Sequence, residues 1–218
     1  MSTNWKVEFH CHTRWSKDSL NDPAAMLRTA RQRGLERLFI TDHNTIAGAR
    51  AAQALDPQHI LIGEEIRTAK GEFLALFVQE EVPPYLSIAE TLQRLKAQAA
   101  FISVSHPFDP QRGWQLPDLL ELLPHIDAIE TFNARCLSDL PNEQAARFAA
   151  EHGLASTVGS DAHTLAEIGR ATLSLPPFHD AESLRTALRS AQPQVQRSGL
   201  GVHLASSLAR LYKRLRKP

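Results

Sequence analysis

Residues 7–13 read Val7-Glu8-Phe9-His10-Cys11-His12-Thr13, a β-rich run that ends on two histidines separated by one residue. On an extended segment, residues two apart project to the same side, so both imidazoles point together and Cys11 faces away. The pattern recurs along the chain. Leu38–Thr41 is followed by Asp42-His43, Ile60–Ile62 by Gly63-Glu64-Glu65, and Phe101–Ser105 by His106. Glu130 lies near the end of Ala128–Phe132, and Ala155–Val158 leads through Gly159-Ser160 to Asp161 and His163. With Lys6–His10, Phe73–Val78 and Ala171–Leu175, eight strands are predicted.

Helical spacing fills several of the gaps. Pro23 opens a helix that carries Ala25, Met26 and Ala30 and stops near Gly34. Ser87 is placed to cap a helix whose Ile88, Leu92 and Leu95 share a face. Pro141 to Gly153 and Ala181–Ala191 complete the set. Alternating β and α units predict an α/β chain with a mostly parallel sheet, and seven or eight repeats predict a barrel. In such a barrel all the acid- and histidine-bearing strand ends converge on one rim. Residues 1–201 are expected to form it. Residues 202–218 change character: Leu204, Leu208 and Leu211 keep helical spacing while Arg210, Lys213, Arg214, Arg216 and Lys217 make the end basic. A C-terminal helix docked on the barrel is expected there.

Composition narrows the class. Of 218 residues, 24 are Lys or Arg and 24 are Asp or Glu, so no net field draws the chain to nucleic acid, and no stable nucleic-acid complex is expected. Two cysteines, Cys11 and Cys136, cannot build a disulfide framework, which points to a reducing compartment. The opening MSTNWKVEFH is not expected to act as a signal peptide, and Phe73–Val78, the longest apolar run, is too short to cross a bilayer. A cytoplasmic protein without a membrane partner is expected.

A single strand-end Asp or buried His is usually a turn cap or a core residue. Five histidines and several carboxylates at successive strand ends make a different case. Imidazole with carboxylate suits zinc, manganese or iron, and there are more ligands than one tetrahedral ion needs. His59, His125, His152, His179 and His203 fall in helices or connections and are read as structural. No phosphate-cradling GxxxxGK[ST] loop occurs, and Ser160 and Cys11 are poorly placed as nucleophiles.

His10-Cys11-His12-Thr13, Thr41-Asp42-His43-Asn44, Gly63-Glu64-Glu65, Ser105-His106-Pro107 and Gly159-Ser160-Asp161-Ala162-His163 resemble, in order, the motifs of the PHP (polymerase and histidinol phosphatase) superfamily. Ile129–Arg135 and Glu167–Arg170 resemble the later half of its small stand-alone phosphoesterases. The resemblance implies a distorted (β/α)7 barrel holding two or three divalent ions (Mn, Zn or Fe). Carried over by position, His10, His12, Glu65 and Asp161 would hold the first ion, Glu65 and His106 the second, and Asp18, His43 and His163 the third. Asp42, Glu130, Asn133 and Arg135 are the remaining catalytic candidates, the first three as groups that orient imidazoles and water. Glu64 is left unassigned.

One departure stands out. Trinuclear relatives end the fourth strand in a histidine, but Phe73–Gln79 contains none, and Val78 is taken as the corresponding position. The expected activity is hydrolysis of a small phosphomonoester or nucleotide by a metal-activated hydroxide. A metal-dependent amidohydrolase and a non-catalytic metal-binding module are the rivals. Arg14, Arg112, Arg135 and Arg170 are candidate phosphate clamps, and Trp114 a candidate stacking surface within the long connection Pro107–Leu123.

Overall fold

A computed structural model describes residues 4–216. Lys217, counted above in the basic C-terminal segment, lies outside the described residues, as do Met1, Ser2 and Thr3.

The strands are β1 (Trp5–Glu8), β2 (Arg37–Ile40), β3 (Ile60–Arg67), β4 (Glu72–Leu76), β5 (Phe101–Val104), β6 (Ala128–Asn133), β7 (Ala155–Gly159), β8 (Ala171–Leu175) and β9 (Gln192–Val195). The helices are α1 (Pro23–Gln32), α2 (Ala47–Gln53), α3 (Ile88–Ala97), α4 (Leu116–Leu122), α5 (Leu140–His152), α6 (Ala181–Ala187) and α7 (Gly201–Leu215). The sheet runs β7-β6-β5-β4-β3-β2-β1-β8-β9. It is a nearly closed barrel. The chain after β1 meets the chain after β7 through a parallel bridge between Cys11 and Ala162, with the His12 amide donating to the Ala162 carbonyl at 2.9 Å.

All eight predicted strands form, but the sheet is not mostly parallel. Parallel pairs β1/β2, β2/β3, β5/β6 and β6/β7 alternate with antiparallel pairs β3/β4, β4/β5, β1/β8 and β8/β9. For β4 the reason is the length of chain that precedes it. β3 continues past the predicted Ile62 to Arg67, leaving only residues 68–71 before β4. Four residues close a hairpin and cannot carry a crossover helix. β4 therefore runs against its neighbours, and the strand end at the histidine-bearing rim is its first residue, Glu72.

Local signals set the helix starts. Asp22 accepts the amides of Ala24 and Ala25 ahead of Pro23, and Ser87 and Glu90 form a reciprocal capping box on α3. The core falls in contiguous clusters. One gathers Phe9, Phe39, Phe101, Phe178 and Leu76, with Phe9 and Phe39 stacked at 5.4 Å. Leu76 and Phe101 pair at strand ends away from the histidine-bearing rim, so this cluster fills the opposite end of the sheet. Each such side chain contributes roughly 1.5–3 kcal/mol by burial. Among the described residues no helix is long and apolar enough to cross a membrane.

Candidate metal centre

Alternation along β1 and its extension sends Glu8, His10 and His12 one way and Cys11 the other, where its thiol donates to the Phe39 carbonyl. His10 and His12 are fully buried, as are Glu65 and Asp161. The Nε2 atom of His10 lies 3.4 Å from Glu65 Oε1 and 3.6 Å from Asp161 Oδ1. That of His12 lies 3.5 Å from Glu65 Oε2 and 3.2 Å from Asp161 Oδ1. On one flank His43 Nδ1 is 2.7 Å from Glu65 Oε2, and Asp18 Oδ1 is 3.2 Å from His163 Nε2 and 3.5 Å from His43 Nε2. On the other, His106 Nε2 meets Glu65 Oε1 at 3.0 Å. Glu65 is thus the hub of the cluster.

The rim is held rigidly by a second layer of side chains. Glu130 Oε1 sits 2.9 Å from His10 Nδ1, fixing Nε2 as the atom that faces the cluster, and Glu130 Oε2 accepts the His106 amide. The Asn133 amide donates to Glu130 and to Asp161 Oδ2. A side chain at Gly159 would drive its Cβ into Glu130 Oε1 and His10 Cβ, so only glycine lets β7 approach the His10 segment here. His106 and Asp161 both adopt positive φ, +24° and +51°, a conformation disfavoured for these residues and found at sites where structure over-determines it.

Electrostatics divides the imidazoles. Burial alone disfavours charge on His10, but Glu65, Asp161 and Glu130 outweigh it and raise its pKa well above the ordinary value. Burial opposes charge on His43 too, yet Glu65 and Asp18 push it to about 10. His12 goes the other way: burial, then His163 and His43, lower it. Burial would raise Glu65 and Asp161, but His10 and His43 hold the first down, and Arg112 and His10 the second.

The atoms left over point to a cation. His10 Nε2, His12 Nε2, Asp18 Oδ1 and Asp161 Oδ1 are buried and have no hydrogen-bond partner, although buried polar groups are almost always satisfied. The ligating atoms of His10, His12 and Asp161 fall within 4.8 Å of one another, as do those of His12, His43 and His163, and of His43, Glu65 and Glu72. Nitrogen and carboxylate donors at these separations fit divalent zinc, manganese or iron.

Several expectations need correction. Val78 is not at the rim; it is buried in the core beside Val82 and Leu95, because β4 is antiparallel. Glu72 stands in the fourth-strand place, with Oε2 3.4 Å from His106 Nε2. The hairpin length was the signal that would have found it. Glu64 faces away from the cluster and accepts the Val82 amide. Asp42 lies behind the cluster, as a group that orients an imidazole would. Its carboxylate accepts the Thr13 amide and hydroxyl and the Ser16 hydroxyl, and Ser16 Oγ in turn lies 3.0 Å from His12 Nδ1. Arg135 donates to Ser206 Oγ and the Val202 carbonyl, tying down α7 rather than facing the cluster. Arg14 pairs with exposed Asp22 and Arg170 with the Arg197 carbonyl. Of the four arginines only Arg112 enters the site, donating to Asp161 Oδ2 at 2.6 Å. Trp114 is a core residue packed on Phe73, and Pro107–Leu123 contains helix α4.

Sequence reasoning missed Glu8 and Glu167. Glu8 accepts the amides of His10, Ser160 and Gly169 and the Ser160 hydroxyl, and burial pushes its carboxyl up to about 7. Glu167 accepts the amides of His163 and Thr164.

The sequence profile of the PHP domain matches residues 8–108, and that of a PHP-associated region matches residues 139–193. An uncharacterized protein of Methanocaldococcus jannaschii is 36% identical over 171 residues, covering 76% of this chain and 68% of the relative. The chain belongs to the PHP superfamily. A second uncharacterized protein of the same organism is 34% identical over 145 residues, 59% of this chain and 82% of that one. Among solved structures, a two-domain Bacteroides vulgatus protein containing a predicted PHP-like metal-dependent phosphoesterase superposes with a TM-score of 0.72 at 19% identity, over 95% of this chain and 70% of that one. A lesion-specific endonuclease from Pyrococcus furiosus superposes at 0.63 and 16% identity, over 87% and 57%. At these identities the likeness is one of fold. Profile and relatives thus give the family, and the His/Asp/Glu clusters are groups that could hold metal ions.

Proposed function

We propose that this PHP chain is a metal-dependent phosphoesterase acting on a small phosphomonoester or nucleotide. His10, His12, Glu65 and Asp161 would hold one divalent ion, Glu65, Glu72 and His106 a second, and Asp18, His43 and His163 a third. The observation that carries the reading is the set of buried imidazole nitrogens and carboxylate oxygens without partners, converging around Glu65. When bound, the ions supply an activated water and neutralise charge on the phosphoryl group.

The chain's own residues do the positioning. Glu130 fixes the His10 tautomer, and Asn133 orients Asp161 and Glu130. Asp42 acts at a distance, holding Ser16 against His12. Arg112 lies on the rim with its guanidinium aimed at the cluster, where its charge and planar donors suit a phosphate better than a neutral amide. That guanidinium favours the phosphoesterase over the amidohydrolase reading.

The test is a panel of nucleotides, 3′,5′-bisphosphates, sugar phosphates and amides, assayed with Mn²⁺ and with chelator. Phosphate release that chelator abolishes and Mn²⁺ restores is the expected result. Turnover of amides alone would overturn the reading in favour of the amidohydrolase. No turnover with firmly retained metal would leave a non-catalytic module.

A further inference from the structure

Helix α7 is docked by its polar side. Arg135 donates to Ser206 and Val202, Arg210 pairs with Asp18 at 3.0 Å, and Lys213 donates to the carbonyls of Arg14 and Ser16. Ser206 and Ala209 are the buried residues of the helix. Its leucines face the solvent instead. Leu204, Leu208, Leu211 and Leu215 are 64%, 56%, 52% and 76% exposed. At 3.6 residues per turn they fall in a stripe only about 60° wide, spaced four, three and four residues apart. That spacing is a coiled-coil seam and is narrower than the face an amphipathic helix buries on its own domain. Monomeric proteins rarely leave so continuous an apolar strip in water.

We infer that this seam pairs with the α7 seam of a second copy, antiparallel about a two-fold axis. The leucine positions are symmetric about a point between Ala209 and Arg210. Leu204 of one copy then meets Leu215 of the other, and Leu208 meets Leu211, giving four leucine layers with no gap. The charges select the same arrangement. Residues 201–209 carry no Asp, Glu, Lys or Arg, whereas Arg210, Lys213, Arg214 and Arg216 crowd the far end without one acid. A parallel pair would set the two basic ends side by side, while the antiparallel pair sets each against the other's uncharged half. Because the helix is already formed and docked, association has no helix-nucleation cost to overcome. A two-fold contact of this kind is self-complementary and closes at two chains. This pairing is independent of the reaction assigned above.

Sedimentation equilibrium of the full chain tests it, with Leu208→Glu and Ser207→Glu as variants. Both positions are exposed, and unchanged circular dichroism checks their folding. The expected result is a dimer with a dissociation constant of about 1–10 µM. Leu208→Glu weakens it at least about tenfold by burying a charge in the seam. Ser207→Glu, placed to face Arg214 of the other copy, tightens it. A monomer at concentrations well above that range overturns the inference, as does a dimer indifferent to Leu208→Glu. Weakening by Ser207→Glu overturns the antiparallel register. A monomer that instead binds anionic phosphatidylserine vesicles would reassign the seam to a lipid surface.

Discussion

Glu72 Oε2, at the first residue of β4, lies 3.4 Å from His106 Nε2, just beyond the end of β5. The carboxylate arrives there because β4 enters the rim at its beginning. Glu72→Ala is expected to lower the affinity of one ion about 10-fold or more while sparing the others, by analogy with the cost of removing groups that support a metal site. Val78→His should leave metal content unchanged and destabilise the core, since Val78 is buried among apolar residues. Metal analysis of both variants after dialysis checks the two outcomes together.

Arg112 is the guanidinium that reaches the cluster. Arg112→Ala should cut kcat/KM for phosphomonoesters by about 10–100-fold, the loss of one charge-assisted contact worth roughly 1.5–3 kcal/mol. Arg112→Lys should recover only part of it, because a point charge lacks the planar fork. Arg135→Ala should act differently, loosening α7 with a smaller effect on turnover, which limited proteolysis near residue 200 would reveal.

Metal uptake must be linked to pH. In the metal-free protein Glu65, Asp161 and Glu130 keep His10 protonated above its ordinary range, and Glu65 and Asp18 raise His43 to about 10. Both imidazoles must lose their protons to bind an ion, so loading at neutral pH is expected to release protons. Affinity therefore rises with pH and falls in acid. Calorimetric titration with Mn²⁺ in buffers of different ionisation enthalpy measures the number. Loading with no proton release would contradict the charge balance described for the cluster.

Glu64 carries a second pH dependence, separate from metal. Burial raises its carboxyl from 4.5 to about 8, with Glu81 adding to it and the Val82 amide opposing. The folded state binds this proton more tightly than the unfolded chain, so the group costs nothing below pH 4.5. Stability is lost as pH rises from there through 8, by an amount on the order of 3–5 kcal/mol. Glu64→Gln, which keeps the shape, should lessen the fall in urea stability between pH 5 and pH 8, leaving the part that buried Glu8 contributes. An unchanged slope would show that the carboxyl is solvated.

The rim was readable from sequence wherever position alone fixes direction. His10 and His12 share a face because strands alternate, and His43, His106, Asp161 and His163 each follow a strand end that the barrel brings to one rim, while Glu65 lies within β3 beside His43. Glu72 was hidden because its place depends on strand direction, which Phe73–Val78 does not carry; the clue lay in the short span before it, once β3 is seen to reach Arg67. Glu8, Glu167 and Ser16 were hidden for another reason. Their partners lie on distant segments or on backbone amides, and a buried acid that braces a loop has the same sequence appearance as a surface one. Arg135 and Asp42 carry motif positions, yet their hydrogen bonds go to α7 and to the loop after His12.

The most direct test of the metal centre is elemental analysis by mass spectrometry of protein loaded with Mn²⁺ and dialysed, as wild type and as Asp161→Ala. Asp161 lies within reach of both His10 and His12, so its loss should remove at least one ion and abolish metal-dependent phosphate release, with the barrel's circular dichroism unchanged. Two or three ions retained by the wild type, and fewer by the variant, is the predicted result. Wild-type metal content and turnover in Asp161→Ala would contradict the account.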